Sequence, residues 1–180
     1  MTPHRTDLPP SNPTSPAVRH PPEPGRPASR TSNPYDPWLD AQQNWPDVRI
    51  VIEPMTGDLL GEVRDDGRLI ALRAGTSAAQ RRCTLTHELV HLERGLTDCG
   101  RWADREELLV HTTVAFRLIT PAALVAAVRD LGGSDDRPAL AQLLEVDSET
   151  LQLRLSRISP AERRMLRRRL AGQAPFWAVA

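Results

Sequence analysis

The segment CTLTHELVHLERG, residues 83–95, contains the pattern on which the interpretation of the chain depends. Two histidines, His87 and His91, stand four residues apart, and Glu88 directly follows the first. Residues with this separation lie on one face of an α-helix, about one turn apart. If the segment is helical, both imidazoles can therefore point toward a single position.

Both ends of the expected helix are marked in the sequence. Ser77-Ala78-Ala79-Gln80 fits a capping box, and Gly95 suits the left-handed residue that often ends a helix. Between these signals, leucines recur at helical spacing and indicate a buried face: Leu85, Leu89 and Leu92. The helix is therefore predicted on grounds that do not involve the histidines.

Two histidines and a glutamate in this order suit a catalytic zinc ion. Zinc binds imidazole nitrogen at about 2.0–2.1 Å, and His87 and His91 can reach one such ion. Glu88 is rotated by about 100° from His87 around the helix. From there it can accept a proton from a water molecule that the metal has acidified. The alternative is an amphipathic helix whose histidines lie at the edge of the core and bind nothing.

A catalytic zinc site also requires a third protein ligand. A metzincin would have glycine and histidine where this chain has Arg94 and Thr97, so that class is rejected. A later helix begins near Glu106 and Glu107. We expect Glu107 to be the third ligand, with Glu106 as its competitor.

His111 lies one helical turn after Glu107 and is predicted to belong to the site. It could orient the site, polarise a substrate carbonyl, or replace Glu107 as ligand. The polarising role gains support because the one tyrosine, Tyr35, falls in a predicted tail. Arg105 and Arg117 are further candidates for that role. Without a metal, Glu107 and His111 would be solvated helix residues.

Three strands are predicted before the histidine-bearing helix. They are VRIVIEP (48–54), GDLLGEV (57–63) and RLIAL (68–72). Asp66-Gly67 between the last two favours a hairpin, because its turn requires positive φ. The expected fold class is α+β, with a small antiparallel sheet packed on a zincin-type helical core and a C-terminal helical segment.

Further helices are predicted after the motif, at about 103–119 and from Thr120-Pro121 onward. Within the three short C-terminal helices that we expect, LAQLLEVDSETLQLRL (140–155) has the spacing of a helix-turn-helix unit. DNA binding would use the following arginines on phosphates. We favour a helical cap that packs on the core, because the second helix of this unit offers a single cation, Arg154.

Composition narrows the partners and the compartment. The 23 basic residues balance the 23 acidic ones, which gives no argument for nucleic acid or a membrane surface as partner. The start, MTPHRTDLPP, lacks a secretory signal, and no apolar run reaches membrane-spanning length. Two cysteines, Cys83 and Cys99, are too few for a disulfide framework. We expect a cytoplasmic protein.

Proline distribution suggests the domain boundaries. Twelve of the 17 prolines lie between Pro3 and Pro46, in a segment with too few aliphatic residues to form a core. The predicted division is a disordered tail over residues 1–45, a metallopeptidase core over 46–132 and a helical cap over 133–180.

The sequence resembles the ImmA/IrrE-type metallopeptidases, especially short members from actinobacteria and their phages. The similar segments are RRCTLTHELVHLERG (81–95) and REELLVHTTVAFRLITPAAL (105–124). The family has a similar Arg-x-x-Leu-x-His-Glu-Leu-x-His segment. It also has a glutamate-bearing helix that ends in a run similar to AFRLITP (115–121). The resemblance covers about residues 48–170.

This resemblance implies one zinc ion per chain, bound by His87, His91 and Glu107. It implies Glu88 as general base in a gluzincin-like, cytosolic endopeptidase that cleaves a transcriptional repressor. One position departs from the family pattern, which usually has Asp or Asn where this chain has His111. Two other hypotheses remain: a non-catalytic regulator that binds DNA or a protein through its C-terminal helices, and a protein in which zinc only stabilises the fold.

Overall fold

The computed structural model describes residues 35–95 and 103–170, together with residue 172. These residues form three strands and seven α-helices. The elements are α1 (Pro37–Asn44), β1 (Arg49–Glu53), β2 (Gly61–Arg64), β3 (Leu69–Arg73), α2 (Ala78–Arg94), α3 (Ala103–Leu118), α4 (Pro121–Asp130), α5 (Arg137–Leu144), α6 (Ser148–Ser156) and α7 (Pro160–Leu170). The predicted α+β class and the helical C-terminal segment are confirmed.

The sheet is mixed, and the prediction of a wholly antiparallel sheet was wrong. Its strand order is β1-β3-β2, in which β3 pairs antiparallel with β2 and parallel with β1. The central strand is the most buried, with no exposure of Ile70, Ala71 or Leu72. After β1 the chain therefore crosses to the far edge before it returns through the centre. Apolar patterning locates a strand but does not specify its direction.

The predicted hairpin joins β2 and β3, but its turn is longer than two residues. Arg64 pairs with Leu69, which leaves four residues in the loop. The first three have positive φ, at 53° for Asp65, 52° for Asp66 and 86° for Gly67. Aspartate and glycine are among the residues that tolerate this conformation, so the sequence signal was correct although the turn type was not.

Helix α1 lies in residues that the sequence assigns to the tail. Asp36 caps it, because Oδ1 accepts a hydrogen bond of 2.9 Å from the Trp38 amide, and Pro37 occupies its first turn. Ala41 is buried against the sheet, and Tyr35 packs against the helical core. The described fold therefore begins earlier than predicted, while residues 1–34 of the proposed tail lie outside the described residues.

Helix α2 is held between two apolar clusters. The smaller cluster lies between α2 and the sheet and includes Leu85 and Leu89. The larger one contains Cys83 and Val90 of α2 together with buried residues from each of α3 to α7. Since α5 and α6 share this core with α3 and α4, the C-terminal helices pack as part of the same body as the motif helix.

The predicted caps are present. Ser77 Oγ accepts a 3.1 Å hydrogen bond from the Gln80 amide, and Gln80 Oε1 accepts one of 3.0 Å from the Ser77 amide. Gly95 ends α2 with φ at 79°. In the described ranges, no single helix is long and apolar enough to cross a membrane; α3 and α4 pass that test by length and composition only as a pair bent by 60°.

Candidate metal centre

Helices α2 and α3 bring three metal-binding side chains together. The Nε2 atoms of His87 and His91 are 2.9 Å apart on one face of α2. From α3, Glu107 places Oε2 at 3.4 Å from His87 Nε2 and Oε1 at 3.2 Å from His91 Nε2. One donor atom from each residue lies within 4.8 Å of the other two.

These separations fit a zinc ion. Tetrahedral ligands at about 2.0–2.1 Å from zinc lie about 3.3 Å from one another. Burial, followed by the neighbouring His111 and His91, lowers the pKa of His87 to about 3. Its imidazole is thus neutral near pH 7 and has a lone pair available, as a metal ligand requires. Three protein ligands with room for a fourth are typical of catalytic rather than structural zinc sites.

Glu88 lies in a different environment from the three clustered side chains of His87, His91 and Glu107, which we call the triad. Only 7% of the residue is exposed, and among the described residues no group donates a hydrogen bond to its carboxylate. Burial, and then the negative charges of Glu107 and Glu62, raise the pKa of Glu88 to about 7. A carboxyl group that titrates near neutral pH can both accept and return a proton, as a general base in hydrolysis must.

Gly61, at the start of β2, permits the sheet to approach Glu88 closely. A Cβ atom at this position would lie 2.3 Å from Thr84 Cγ2 and 3.0 Å from Glu88 Oε1. Any larger residue would therefore collide with α2 beside the carboxylate. Gly61 was not predicted as a site residue from the sequence, although a glycine inside a strand is a known signal for close backbone approach.

The competing carboxylate, Glu106, is occupied by another partner. Arg94 Nη2 donates to Glu106 Oε2 at 2.9 Å, and Arg94 Nε makes a second contact with Oε1. This hydrogen bonding lowers the pKa of Glu106. The geometry therefore favours Glu107 over its neighbour as the carboxylate that faces the histidine pair.

His111 lies beside the triad rather than within it. Its Nε2 atom is 3.8 Å from Glu107 Oε2, and its ring centroid is 4.7 Å from that of His87. Its side chain is 56% exposed. Arg117 is directed elsewhere, with two hydrogen bonds of 2.6 Å to Glu93, while Arg105 is exposed at the start of α3.

A cleft of about 520 Å³ opens beside these residues. The cleft is lined by residues 58–61 before and at the start of β2, by α2, by α3, and by Asp147 and the start of α6. Cys83 of α2 is among these lining residues, and burial and then the charge of Asp147 raise the pKa of its thiol to about 12. Cys83 is thus protonated at neutral pH and unsuited to act as a nucleophile.

Comparison with known families gives one match. The profile of Peptidase_M78, described as the IrrE N-terminal-like domain, matches residues 44–156. This range extends from the end of α1 to the end of α6 and contains the three clustered ligands, Glu88 and Gly61. No curated protein and no solved structure shows significant similarity.

Proposed function

This chain belongs to the Peptidase_M78 family of IrrE N-terminal-like domains, and we propose that it is a zinc-dependent endopeptidase acting on a regulatory protein, specifically a transcriptional repressor. The main observation that supports this proposal is that His87, His91 and Glu107 converge beside a cleft, with Glu88 buried next to them. The family supports peptidase chemistry. The repressor as substrate rests on the resemblance to ImmA/IrrE-type members.

In this proposal, His87, His91 and Glu107 hold the metal. When bound, zinc supplies a Lewis acid that polarises a carbonyl group and lowers the pKa of water to about 7. The two imidazoles come from one rigid helix, while the carboxylate comes from the helix packed against it. Because the ligands lie on helices that share a core, their mutual positions are largely fixed before the metal binds.

Glu88 acts as the general base. It takes a proton from water as the water oxygen bonds to the carbonyl carbon of the substrate. The same proton then passes to the amide nitrogen as the carbon–nitrogen bond breaks, which releases an amine and a carboxylic acid. The acid then loses its remaining proton, and the amine takes one up, to give a carboxylate and an ammonium group. A carboxyl pKa near 7 suits both transfers, since neither direction is strongly opposed.

His111 supports the reaction from the edge of the triad. It lines the cleft, its side chain is half-exposed, and its Nε2 is not among the three clustered donors. Of the three roles open to it, donation of a hydrogen bond to the substrate carbonyl agrees best with this position. The histidine would then stabilise the negative charge that develops on the carbonyl oxygen.

The rival proposal, a DNA-binding regulator, has less support. Arg154, the cation expected on the second helix of the helix-turn-helix-like unit, is fully buried. Its guanidinium binds Glu162 and the backbone carbonyl of Ile119, so it does not face a possible DNA duplex. The arrangement favours the packing role for α6 that the sequence analysis preferred.

Metal content and cleavage test the proposed function together. The protein should bind one zinc ion per chain and should cleave a co-expressed repressor encoded beside it. Glu88→Gln should keep the zinc and the fold but abolish cleavage, detected as loss of the new protein terminus by mass spectrometry. A protein without stoichiometric zinc, or equal cleavage by the variant, would contradict the proposal.

A further inference from the structure

The cleft beside the triad is lined by both apolar and acidic side chains. Its apolar surface comes from all sides and includes Leu60, Leu108, Val114 and Leu153. Leu60 is 37% exposed and Leu108 is 45% exposed. A large apolar group placed in the cleft would therefore remove leucine surface from water.

Carboxylates accompany this apolar surface. Asp58 on the loop and Glu149 in the first turn of α6 both line the cleft and are exposed. Within the described parts of the chain, neither makes an ion pair or a side-chain hydrogen bond. No arginine is among the described residues that line the cleft, and the chain has no lysine. Within the described ranges, these two carboxylates are therefore not held by a direct ion pair, although Arg73 contacts the backbone on either side of Asp58.

The wall that carries Asp58 is held in place by the sheet. Arg73 of β3 donates hydrogen bonds to the backbone carbonyls of Gly57 and Leu59, with a longer one of 3.4 Å to Thr56. Glu149 lies on α6, whose start is capped by Asp147 through a 2.8 Å hydrogen bond that Asp147 accepts from the Thr150 amide. The positions of Asp58 and Glu149 are thus supported by hydrogen bonds within the chain.

We propose that this cleft selects a substrate side chain with an apolar stem and a cationic end, arginine or lysine, beside the bond that is cleaved. The proposal rests on the proposed peptidase function. The methylene groups of such a side chain can cover Leu108 and Leu153, while its charged group remains near Glu149 and Asp58. Acidic side chains would meet like charge and be rejected. The buried Glu88 carboxylate reaches Gly61 in the same cleft, which connects this selectivity to the reacting centre.

Peptide hydroxamates test this selectivity without turnover, because the hydroxamate binds the metal and the side chain samples the cleft. Two series place the variable residue on either side of this group: N-acetyl-glycyl-X hydroxamates and malonyl-X-amide hydroxamates. For the zinc-loaded full chain, calorimetry in one series should give affinities in the order arginine, norleucine, glutamate. We expect a difference between arginine and glutamate of roughly five- to tenfold, as for a few exposed charge pairs.

Charge reversal provides the matched comparison. Glu149→Arg should reduce or invert the preference for arginine over glutamate, whereas Asp130→Arg makes the same charge change at an exposed site outside the cleft and should preserve it. Equal affinities in both series, or a preference unchanged by Glu149→Arg, would overturn the assignment of the cleft while leaving the peptidase proposal intact. Absence of zinc and of hydroxamate binding would overturn both.

Discussion

Among the residues that the structure describes, two charged side chains are buried, those of Arg154 and Glu88. They differ in whether other groups pair with their charge. Arg154 on α6 donates to the Ile119 carbonyl at 2.9 Å, pairs with Glu162, and lies 4.2 Å from the centre of the Phe116 ring. Glu88 on α2 has no hydrogen-bond donor within the described ranges. Since an unpaired buried charge costs free energy, the pairing of Arg154 stabilises the fold, whereas we propose that the isolation of Glu88 serves reactivity.

The largest effect should separate activity from stability at Glu88. Glu88→Gln should reduce kcat/KM by about 10²–10⁴-fold, since it removes the proton acceptor. The free energy of unfolding should not fall, and at pH 7 and above it should rise, because the neutral amide removes the cost of an ionised carboxylate whose pKa burial has raised to about 7. Activity assays and chemical denaturation measure the two quantities, and a large loss of stability would show that Glu88 is structural.

A control on the same helix sharpens that result. Glu93→Gln changes the same functional group on α2 but breaks the exposed contact with Arg117 instead. Its expected cost in stability is about 0–1 kcal/mol, as for other surface ion pairs, with activity retained. Comparable loss of activity in both variants would argue against a special role for Glu88.

For Arg154 we expect a loss of stability, in contrast to the loss of activity expected for Glu88. Arg154→Ala should lower the free energy of unfolding by about 3–5 kcal/mol, because it leaves the Glu162 carboxylate mostly buried without its partner. Arg157→Ala, at an exposed arginine three residues later, should change it by less than about 0.5 kcal/mol. Denaturation of both variants measures the difference; similar values would mean that the buried pair contributes little.

The sequence alone predicts one of these two buried residues well and the other poorly. Glu88 belongs to a local pattern, and the ends of its helix are marked by Ser77 and Gly95. Arg154 is the one cation that the second helix of the helix-turn-helix-like unit offers to DNA, and arginines are usually exposed, but this one is buried. Its burial depends on Ile119 and Glu162, contacts that helical periodicity within α6 does not reveal.

The same limit applies elsewhere in the molecule. The hairpin was predictable because Asp66 and Gly67 favour positive φ locally, whereas the parallel pairing of β1 with β3 depends on a crossover that no local pattern records. Helix α1 was not predicted, because residues 1–45 were assigned to a tail from their proline content and few aliphatic residues. Gly61 is recognisable as important only once β2 is seen to contact α2.

The third prediction concerns the carboxylate next to Glu88 in space. Glu107→Gln should weaken zinc affinity by more than about 100-fold, since loss of even an indirect partner of a metal ligand costs about 10–100-fold. Glu106→Gln is the matched control, because its carboxylate contacts Arg94 and not the histidine pair. Competition with a zinc-binding dye measures both affinities. The reverse order would assign the ligand role to Glu106.

The smallest expected effect concerns Gly61, where β2 approaches the buried Glu88 carboxylate. Gly61→Ala places a methyl group against Thr84 Cγ2 and Glu88 Oε1, at 2.3 and 3.0 Å before relaxation. Overpacking of this kind costs about 1–3 kcal/mol of stability. We also expect kcat to fall by about tenfold with zinc retained, because displacement of a catalytic group by about 1 Å can reduce the rate by up to about 100-fold.

The double variant Gly61→Ala/Thr84→Ser distinguishes overpacking against Thr84 from displacement of the Glu88 carboxylate. Serine lacks the methyl group that the new alanine side chain would contact at the shortest distance. Stability should return toward that of the wild type, while kcat should recover only in part, because the contact with Glu88 Oε1 remains. Gly75→Ala, where a Cβ atom meets nothing within 4 Å but φ is 82°, should lower stability through backbone strain alone and should leave kcat unchanged. Full and parallel recovery of both quantities would mean that Gly61 serves packing alone, and that β2 does not determine where the Glu88 carboxylate lies.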